Sequence, residues 1–168
     1  MYAVYAAIAC FIAWIWIDYF RLIDVYGNEN LQYILYTFFL GAGSVLIVVE
    51  LHDRDLLKWI PIEPNESMVN NFLYCVFKIG LVEEIAKMIP LLIMYYVFRS
   101  QFKEPMDYVA FAAISALGFA AAENTLYFIA NNGAVISARA ILTSVGHMFY
   151  SSLIGYGIVL TKYRDIKP

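Results

Sequence analysis

Charged residues and cysteines are scarce in this 168-residue sequence, and each shortage excludes a class of protein. Charged residues make up 15% of the chain and hydrophobic residues 62%, whereas a soluble domain has about 25% charged and about 45–50% apolar residues. The net charge of −3 leaves no basic surface suited to nucleic acid, so no nucleic-acid partner is expected. Cys10 and Cys75 form no CxxC pair, which argues against a disulfide framework and a thiolate zinc site.

Several common functional signatures are also missing. The sequence contains no HExxH motif of zinc peptidases and no GxSxG turn around a nucleophilic serine. It has no ExxH pair of the di-iron kind, and we expect no cofactor, although its glutamates and a histidine leave a divalent metal open. No internal repeat is visible, which argues against a small proton- or cation-coupled transporter.

Long apolar runs dominate the rest of the sequence and predict an all-α bundle of transmembrane helices. A span needs about 20 mostly apolar residues. We predict five spans, at 2–19, 31–49, 69–98, 107–130 and 134–160. Segment 69–98 contains several charged residues and Pro90, so it is either a kinked span or an interfacial segment followed by a span.

The predicted spans form a single transmembrane domain, residues 1–168, embedded in a lipid bilayer. The N-terminus lacks a positively charged region, so we interpret it as the first span and not as a cleavable signal peptide. With the N-terminus outside, the cytoplasmic side carries Arg21, Arg99, Lys103, Lys162, Arg164 and Lys167, and the outer loop carries Arg54 and Lys58. This distribution of positive charge predicts an N-out, C-in orientation.

The first ionisable group inside a predicted span is Glu83-Glu84-Ile85-Ala86-Lys87. On a helix Lys87 lies four residues after Glu83 and three after Glu84, so one lysine can reach either carboxylate. Two adjacent carboxylates in a poorly hydrated site do not both ionise easily, which suits a general base or acid. The alternative is a solvated helix end with a surface ion pair.

The second group is the segment GFAAAEN, residues 118–124. Small residues allow membrane helices to approach closely, so Glu123 and Asn124 are expected to lie in a tight interface where they need partners. A structural hydrogen bond between helices is the alternative role for both.

The third group lies on the last span. Arg139, Thr143, His147 and Ser151 recur every four residues and therefore form one polar stripe. Arg139, near the outer end, either extends toward the membrane surface or pairs with a carboxylate. A Ser–His pair between Ser151 and His147 stays open, although no third group that would orient it is evident.

The three groups share one predicted depth in the membrane. Glu84, Glu123 and His147 lie 15, 16 and 14 residues from the cytoplasmic span ends at Arg99, Asp107 and Thr161. With a rise of about 1.5 Å per residue, each lies about 21–24 Å from the cytoplasmic side. The sequence therefore predicts one convergent site displaced toward the outer face.

The segments EEIAK, GFAAAEN and SVGHMFYSS, in this order on successive spans, resemble the PrsW family of intramembrane proteases. That family is related to the type II CAAX prenyl endopeptidases and to bacteriocin-processing membrane proteases. The resemblance covers residues 68–165, the motif-bearing core. It implies a glutamate-dependent hydrolysis of peptide bonds.

The resemblance also implies roles for individual residues. The EExxK motif falls on Glu83, Glu84 and Lys87, the FxxxE motif on Phe119 and Glu123, and the late histidine on His147. The catalytic candidates are Glu83, Glu84, Glu123 and His147, and the supporting residues are Lys87, Phe119, Asn124, Arg139 and Ser151. In the CAAX relatives the second motif ends in histidine, so their mechanism does not transfer unaltered.

The substrate implied by the resemblance is a membrane protein or peptide, in this family an anti-sigma factor, cleaved near the outer face of a bacterial cytoplasmic membrane. In the mechanistic hypothesis, Glu83 or Glu84 takes a proton from water. His147 and Asn124 donate to the tetrahedral oxyanion, and Glu123 orients the water or protonates the leaving amine. The alternative is a non-proteolytic membrane binding or immunity protein with the same fold.

Overall fold

Over residues 1–23, 30–54 and 56–163, which the computed structural model describes, the chain is all-α and contains no strand. The helices are α1 Tyr2–Ile23, α2 Leu31–Asp53, α3 Met68–Leu73, α4 Leu81–Val97, α5 Pro105–Ala130, α6 Ile136–Ala138 and α7 Ser144–Tyr163. A π-helical segment, Tyr74–Gly80, joins α3 to α4, and a second, Arg139–Thr143, joins α6 to α7. The described chain thus has five long helical stretches, at the places where the sequence predicts spans.

Three described helices are long and apolar enough to cross a membrane, namely α1, α2 and α5. The α3–α4 and α6–α7 stretches do not meet this criterion, and they are the stretches that contain π-helical segments and several residues of the predicted site. The protein is therefore a polytopic integral membrane protein. The N-out orientation stays a prediction, and Arg164 and Lys167, on which it partly rests, lie outside the described residues.

The central helix is α5, which contacts α1, α2, α4 and α7. All residues from 111 to 121 are buried. A Cβ atom on Gly118 would lie 2.0 Å from the carbonyl oxygen of Phe38 on α2, and one on Gly155 of α7 would lie 2.6 Å from that of Tyr108 on α5. Glycine at these two positions therefore allows α2 and α7 to pack against the backbone of α5.

The first turn of α5 is capped by side chains of its own residues. Pro105 occupies this turn, and the Asp107 carboxylate accepts hydrogen bonds from the backbone N–H groups of Glu104, at 2.7 Å, and of Lys103, at 2.6 Å. A capping box of this kind satisfies donors that have no partner inside the helix. The capping interactions therefore stabilise the N-terminal end of α5, the helix that carries the GFAAAEN segment.

The loop before α3 folds against the first π-helical segment. Lys78 in that segment is buried and pairs with Glu63 of the loop, whose side chain is 70% exposed. The Asn70 side chain donates to the backbone carbonyl of Glu63. Farther along, α4 continues through Pro90, which is buried. The sequence identifies Lys78 only as an interruption of an apolar run and does not predict its pairing with Glu63.

Candidate active site

Glu83, Glu84 and Lys87 lie in the first two turns of α4, directly after the π-helical segment. Lys87 Nζ donates to Glu84 Oε1 at 2.7 Å and lies 3.5 Å from Glu83 Oε2. The Lys87 side chain is 1% exposed, so its ammonium group is shielded from solvent. One buried lysine thus contacts both carboxylates, as the helical spacing predicts, and a solvated helix end does not describe this group.

His147 of α7 connects the α4 carboxylates to α5. Its Nδ1 lies 2.6 Å from Lys87 Nζ, and its Nε2 lies 3.1 Å from Glu123 Oε2. Because an ammonium group only donates, Nδ1 accepts, and the proton of the neutral ring lies on Nε2, which donates to Glu123. This tautomer is assigned from the partners of the two ring nitrogens.

Arg139, in the second π-helical segment, binds the two polar residues at the end of the GFAAAEN segment of α5. Its Nη2 donates to Glu123 Oε2 at 2.5 Å, and its Nε donates to Asn124 Oδ1 at 2.7 Å. The guanidinium carbon lies 3.7 Å from the centre of the Tyr127 ring, a cation–π contact. Of the two alternatives left open by the sequence, Arg139 therefore pairs with a carboxylate.

The side-chain amide of Asn124 forms hydrogen bonds with other residues of the bundle. Its residue is 1% exposed, its Oδ1 accepts from Arg139, and its Nδ2 donates to Ser144 Oγ at 3.4 Å. Both ends of the amide are thus hydrogen-bonded inside the bundle, which supports the alternative of a structural hydrogen bond between helices, and donation by Asn124 to an oxyanion stays a prediction.

The Ser151 hydroxyl donates a hydrogen bond to a carboxylate of α4 and not to the His147 imidazole. Its Oγ donates to Glu84 Oε2 at 2.9 Å. Since Lys87 already donates to the other oxygen of Glu84, both carboxylate oxygens of this residue have partners. The Ser–His pair left open by the sequence is not formed.

Phe119 is buried beneath the ionisable residues. Its ring centre lies 4.5 Å from Lys87 Nζ and 5.5 Å from the centre of the His147 ring, with the two rings in an edge-on arrangement. Aromatic contacts of both kinds contribute about 0.5–1.5 kcal/mol. Phe119 therefore supports the positions of the lysine and the imidazole.

The hydrogen bonds form one continuous network across α4, α5 and the α6–α7 stretch. It runs in the order Ser151, Glu84, Lys87, His147, Glu123, Arg139, Asn124 and Ser144. Glu83 joins at Lys87, and Phe119 packs against it. The structure thus brings all the predicted site residues together. Sequence reasoning missed Tyr127, because nothing distinguishes it from the other aromatic residues, and gave no role to Ser144, which lies next to Thr143 of the polar stripe.

A cavity of about 580 Å³ lies beside the network. It is bounded by α3, the first π-helical segment, α4, and the α7 side, where Thr143 of the polar stripe also lines it. The lining residues are Phe72, Cys75, Val76, Gly80, Leu81, Glu83, Glu84, Thr143, Gly146, His147 and Tyr150. Ligand pockets typically measure about 300–1,000 Å³, so this cavity can hold a short stretch of polypeptide.

Glu83, Glu123 and His147 also form a potential metal site. Each offers one ligand atom, and the three atoms lie within 4.8 Å of one another. Carboxylate oxygen and imidazole nitrogen are donors that Zn²⁺ accepts in catalytic sites with three protein ligands. The donor types and their spacing therefore fit a divalent cation.

Comparison with known proteins identifies a family. The model of the PrsW family of intramembrane metalloproteases matches residues 29–167, a wider range than the predicted core 68–165. Protease PrsW of Geobacillus kaustophilus is 30% identical over 141 residues, which cover 83% of this chain and 59% of the relative. Protease PrsW of Halalkalibacterium halodurans is 30% identical over 147 residues, with coverages of 88% and 65%. That of Bacillus subtilis is 30% identical over 140 residues, with coverages of 83% and 61%.

The chain spans less than two thirds of the length of each of these three relatives. No solved structure matches the chain.

Proposed function

Since the chain belongs to the PrsW family of intramembrane metalloproteases, we propose that it is an endopeptidase that hydrolyses a peptide bond of a membrane-associated protein. The observation that carries this proposal is the network in which Glu83, Glu123 and His147 meet beside a cavity. Ionisable groups inside a membrane protein are costly to insert and usually mark a functional site. Carboxylates and an imidazole can activate water and move protons.

Within this proposal Glu83 is the general base, and Glu84 is a positioning residue. Both oxygens of Glu84 already accept hydrogen bonds, from Lys87 and Ser151. Glu83 lines the cavity and lies 3.5 Å from Lys87 Nζ, beyond the distance of a strong hydrogen bond. A water in the cavity would therefore transfer its proton to Glu83, while Lys87 balances the charge of the two adjacent carboxylates.

His147 and Glu123 complete the proposed reaction. The Nε2–H group of His147 points to Glu123 and can turn to a tetrahedral oxyanion in the cavity, where one such donor contributes about 10²–10³ in rate. Glu123, held by Arg139, orients the attacking water, and the proton that Glu83 takes from this water is passed to the leaving amine. Asn124, the other oxyanion donor of the sequence-based hypothesis, is held by Arg139 and Ser144 and does not line the cavity, so we assign it a positioning role.

Because the PrsW family is a family of metalloproteases, a metal ion is an alternative means of activating water at this site. Glu83, Glu123 and His147 are the residues that would hold one. A bound Zn²⁺ would polarise the scissile carbonyl and make a bound water more acidic. Cleavage that survives chelation would support the metal-free mechanism, in which Lys87 and Arg139 pair with the carboxylates. Loss of cleavage on chelation, restored by Zn²⁺, would instead assign the metal to these three residues.

The proposed substrate and location follow the family resemblance. The substrate would be an anti-sigma factor or a similar membrane protein of the bacterial cytoplasmic membrane, and residues 68–165 would form the catalytic core. The shared depth of Glu84, Glu123 and His147 supports cleavage near the outer face. Membrane proteomics of cells that carry active or inactive protein would identify the cleaved partner.

The direct test of the function is a cleavage assay with the purified chain and Glu83→Gln, Glu84→Gln and Glu66→Gln. Glu66 lies exposed in the loop before α3, so its variant is a matched control. We expect Glu83→Gln to lower the rate by about 10²–10⁴, the usual contribution of a general base, and Glu66→Gln to leave it unchanged. Undiminished cleavage by both Glu83→Gln and Glu84→Gln would reject the mechanism. Loss of protein abundance in these variants, with no turnover by the unmodified chain, would favour the non-proteolytic alternative.

A further inference from the structure

Apolar residues line the cavity beside the network and form what is called here its apolar side. They are Phe72 of α3, Val76 of the first π-helical segment, Leu81 of α4 and Tyr150 of α7. The two carboxylates of α4 and the imidazole of α7 line the same space. An apolar ligand in this cavity would therefore lie in direct contact with the proposed catalytic groups.

The apolar side of the cavity is also part of the exterior of the protein. Phe72 is 65% exposed, Leu81 49% and Tyr150 59%. Their helical stretches are predicted spans, so hydrocarbon chains are the expected surroundings of these side chains. The cavity consequently reaches a surface that faces lipid.

Gly146 leaves open space next to His147. A Cβ atom on Gly146 would have no atom within 4 Å, whereas one on Gly155 of the same helix would collide with the backbone of α5. Helix packing therefore requires glycine at position 155 but not at position 146. Since Gly146 lines the cavity, the open space in front of it is part of the ligand volume.

We infer that an uncharged, apolar segment of a membrane-embedded protein enters the cavity sideways, between the π-helical segment Tyr74–Gly80 and α7. In this inference, which rests on the proposed endopeptidase function, Gly146 limits the size of the substrate side chain beside the scissile bond. The apolar lining matches such a segment. Glu83 and Glu84 repel an acidic side chain at the same place, because like charges interact strongly in a poorly hydrated site.

Cys75 permits a test that does not depend on cleavage. It lines the cavity and is exposed, whereas Cys10 is exposed on α1. The probe is a synthetic single-span peptide of Leu and Ala, with an Asp-containing version as its control, added to vesicles that hold the full chain. The readout is the rate at which N-ethylmaleimide modifies Cys75 in a Cys10→Ser background, and Cys10 in a Cys75→Ser background.

We expect the apolar peptide to slow modification of Cys75 about threefold when it is present at about twice its dissociation constant. The Asp-containing peptide should not slow it, and Cys10 should react equally fast throughout. The same protection is expected in Glu83→Gln, which binds without hydrolysis. Failure of the apolar peptide to protect Cys75, or equal protection of Cys10, would overturn the sideways path. Protection of Cys75 without cleavage by the unmodified chain would support this path and reject the endopeptidase function.

The role of Gly146 is tested with Gly146→Leu and its matched control Gly157→Leu. Gly157 lies on the same helix and a Cβ there would also meet open space, but it does not line the cavity. Protection by a peptide with a central Phe should be lost in Gly146→Leu, while a peptide with a central Ala should still protect. Gly157→Leu should behave as the unmodified chain with both peptides. An equal effect of Gly146→Leu on both peptides would overturn the size limit.

Discussion

The helices α1, α2 and α5 are uninterrupted and apolar enough to cross a membrane, whereas the α3–α4 and α6–α7 stretches each contain a π-helical segment. The first set packs through small residues, as Gly118 shows where α5 meets α2. The second set carries the buried lysine, the imidazole and two of the three clustered carboxylates. The ionisable residues of the site are thus concentrated in the interrupted stretches, although α5 contributes Glu123 and α7 also packs closely against α5 at Gly155.

The difference shows how polar side chains reach the interior of an apolar bundle. A π-helical segment pairs each donor with a carbonyl five residues earlier, one more than in an α-helix, so it changes the direction of the side chains that follow. In one stretch Glu83 lies in the first turn after the segment, and in the other the segment itself carries Arg139 and is followed by Ser144.

The largest expected effect comes from Lys87→Met, which removes the cation shared by both α4 carboxylates. Breaking a buried ion pair from one side costs about 3–5 kcal/mol, because a charge is left without compensation. We expect the free energy of unfolding in detergent to fall by this amount and cleavage to be lost. Lys103→Met, in an exposed loop, is the control. Equal stability of the two variants would show that Lys87 does not hold the network together.

A smaller effect is expected from Gly118→Ala, which tests the packing helices. The added methyl group would lie 2.0 Å from the Phe38 carbonyl oxygen, and overpacking of this kind costs about 1–3 kcal/mol. Gly43→Ala on α2 meets no atom within 4 Å and should not destabilise the protein. Thermal unfolding of both variants checks the difference, and similar melting temperatures would argue against a close α2–α5 contact.

The smallest effect is expected from Glu63→Gln, which breaks the pair with Lys78. Because the Glu63 side chain is largely exposed, we expect a loss of no more than about 1 kcal/mol. Chemical unfolding measures it against Glu66→Gln in the same loop. A loss as large as that of Lys87→Met would mean that the loop contributes to the stability of the site-bearing helices as much as the buried network does.

Much of the bundle follows from the sequence, because hydrophobic length determines where helices cross a membrane. The predicted span 107–130 corresponds to Pro105–Ala130, and 69–98 to the stretch from Met68 to Val97. The meeting of Glu84, Glu123 and His147 also follows, since residues at equal depth on neighbouring helices can converge.

The two π-helical segments could not be predicted, because nothing in YCVFKIG or RAILT distinguishes them from α-helix and their hydrogen bonding depends on neighbouring helices. The hydrogen-bond partners of Asn124 also could not be predicted from the sequence. Periodicity gives the face on which a side chain lies, but not which of several polar groups on another helix it meets. For the same reason, the assignment of Glu84 to Lys87 and Ser151 required the structure.

The second π-helical segment has a consequence for how this chain can change by insertion or deletion. Removing one residue from Arg139–Thr143 would shorten the stretch by only about 1.5 Å, a difference that a tilted span absorbs easily. Because a π-helical turn holds one residue more than an α-helical turn, a deletion among residues 140–143 would let this turn become α-helical and leave Arg139 and His147 on the same faces. This part of the bundle therefore tolerates the loss of one residue better than a regular helix such as α5, in which the same loss turns the flanking residues by about 100° relative to each other.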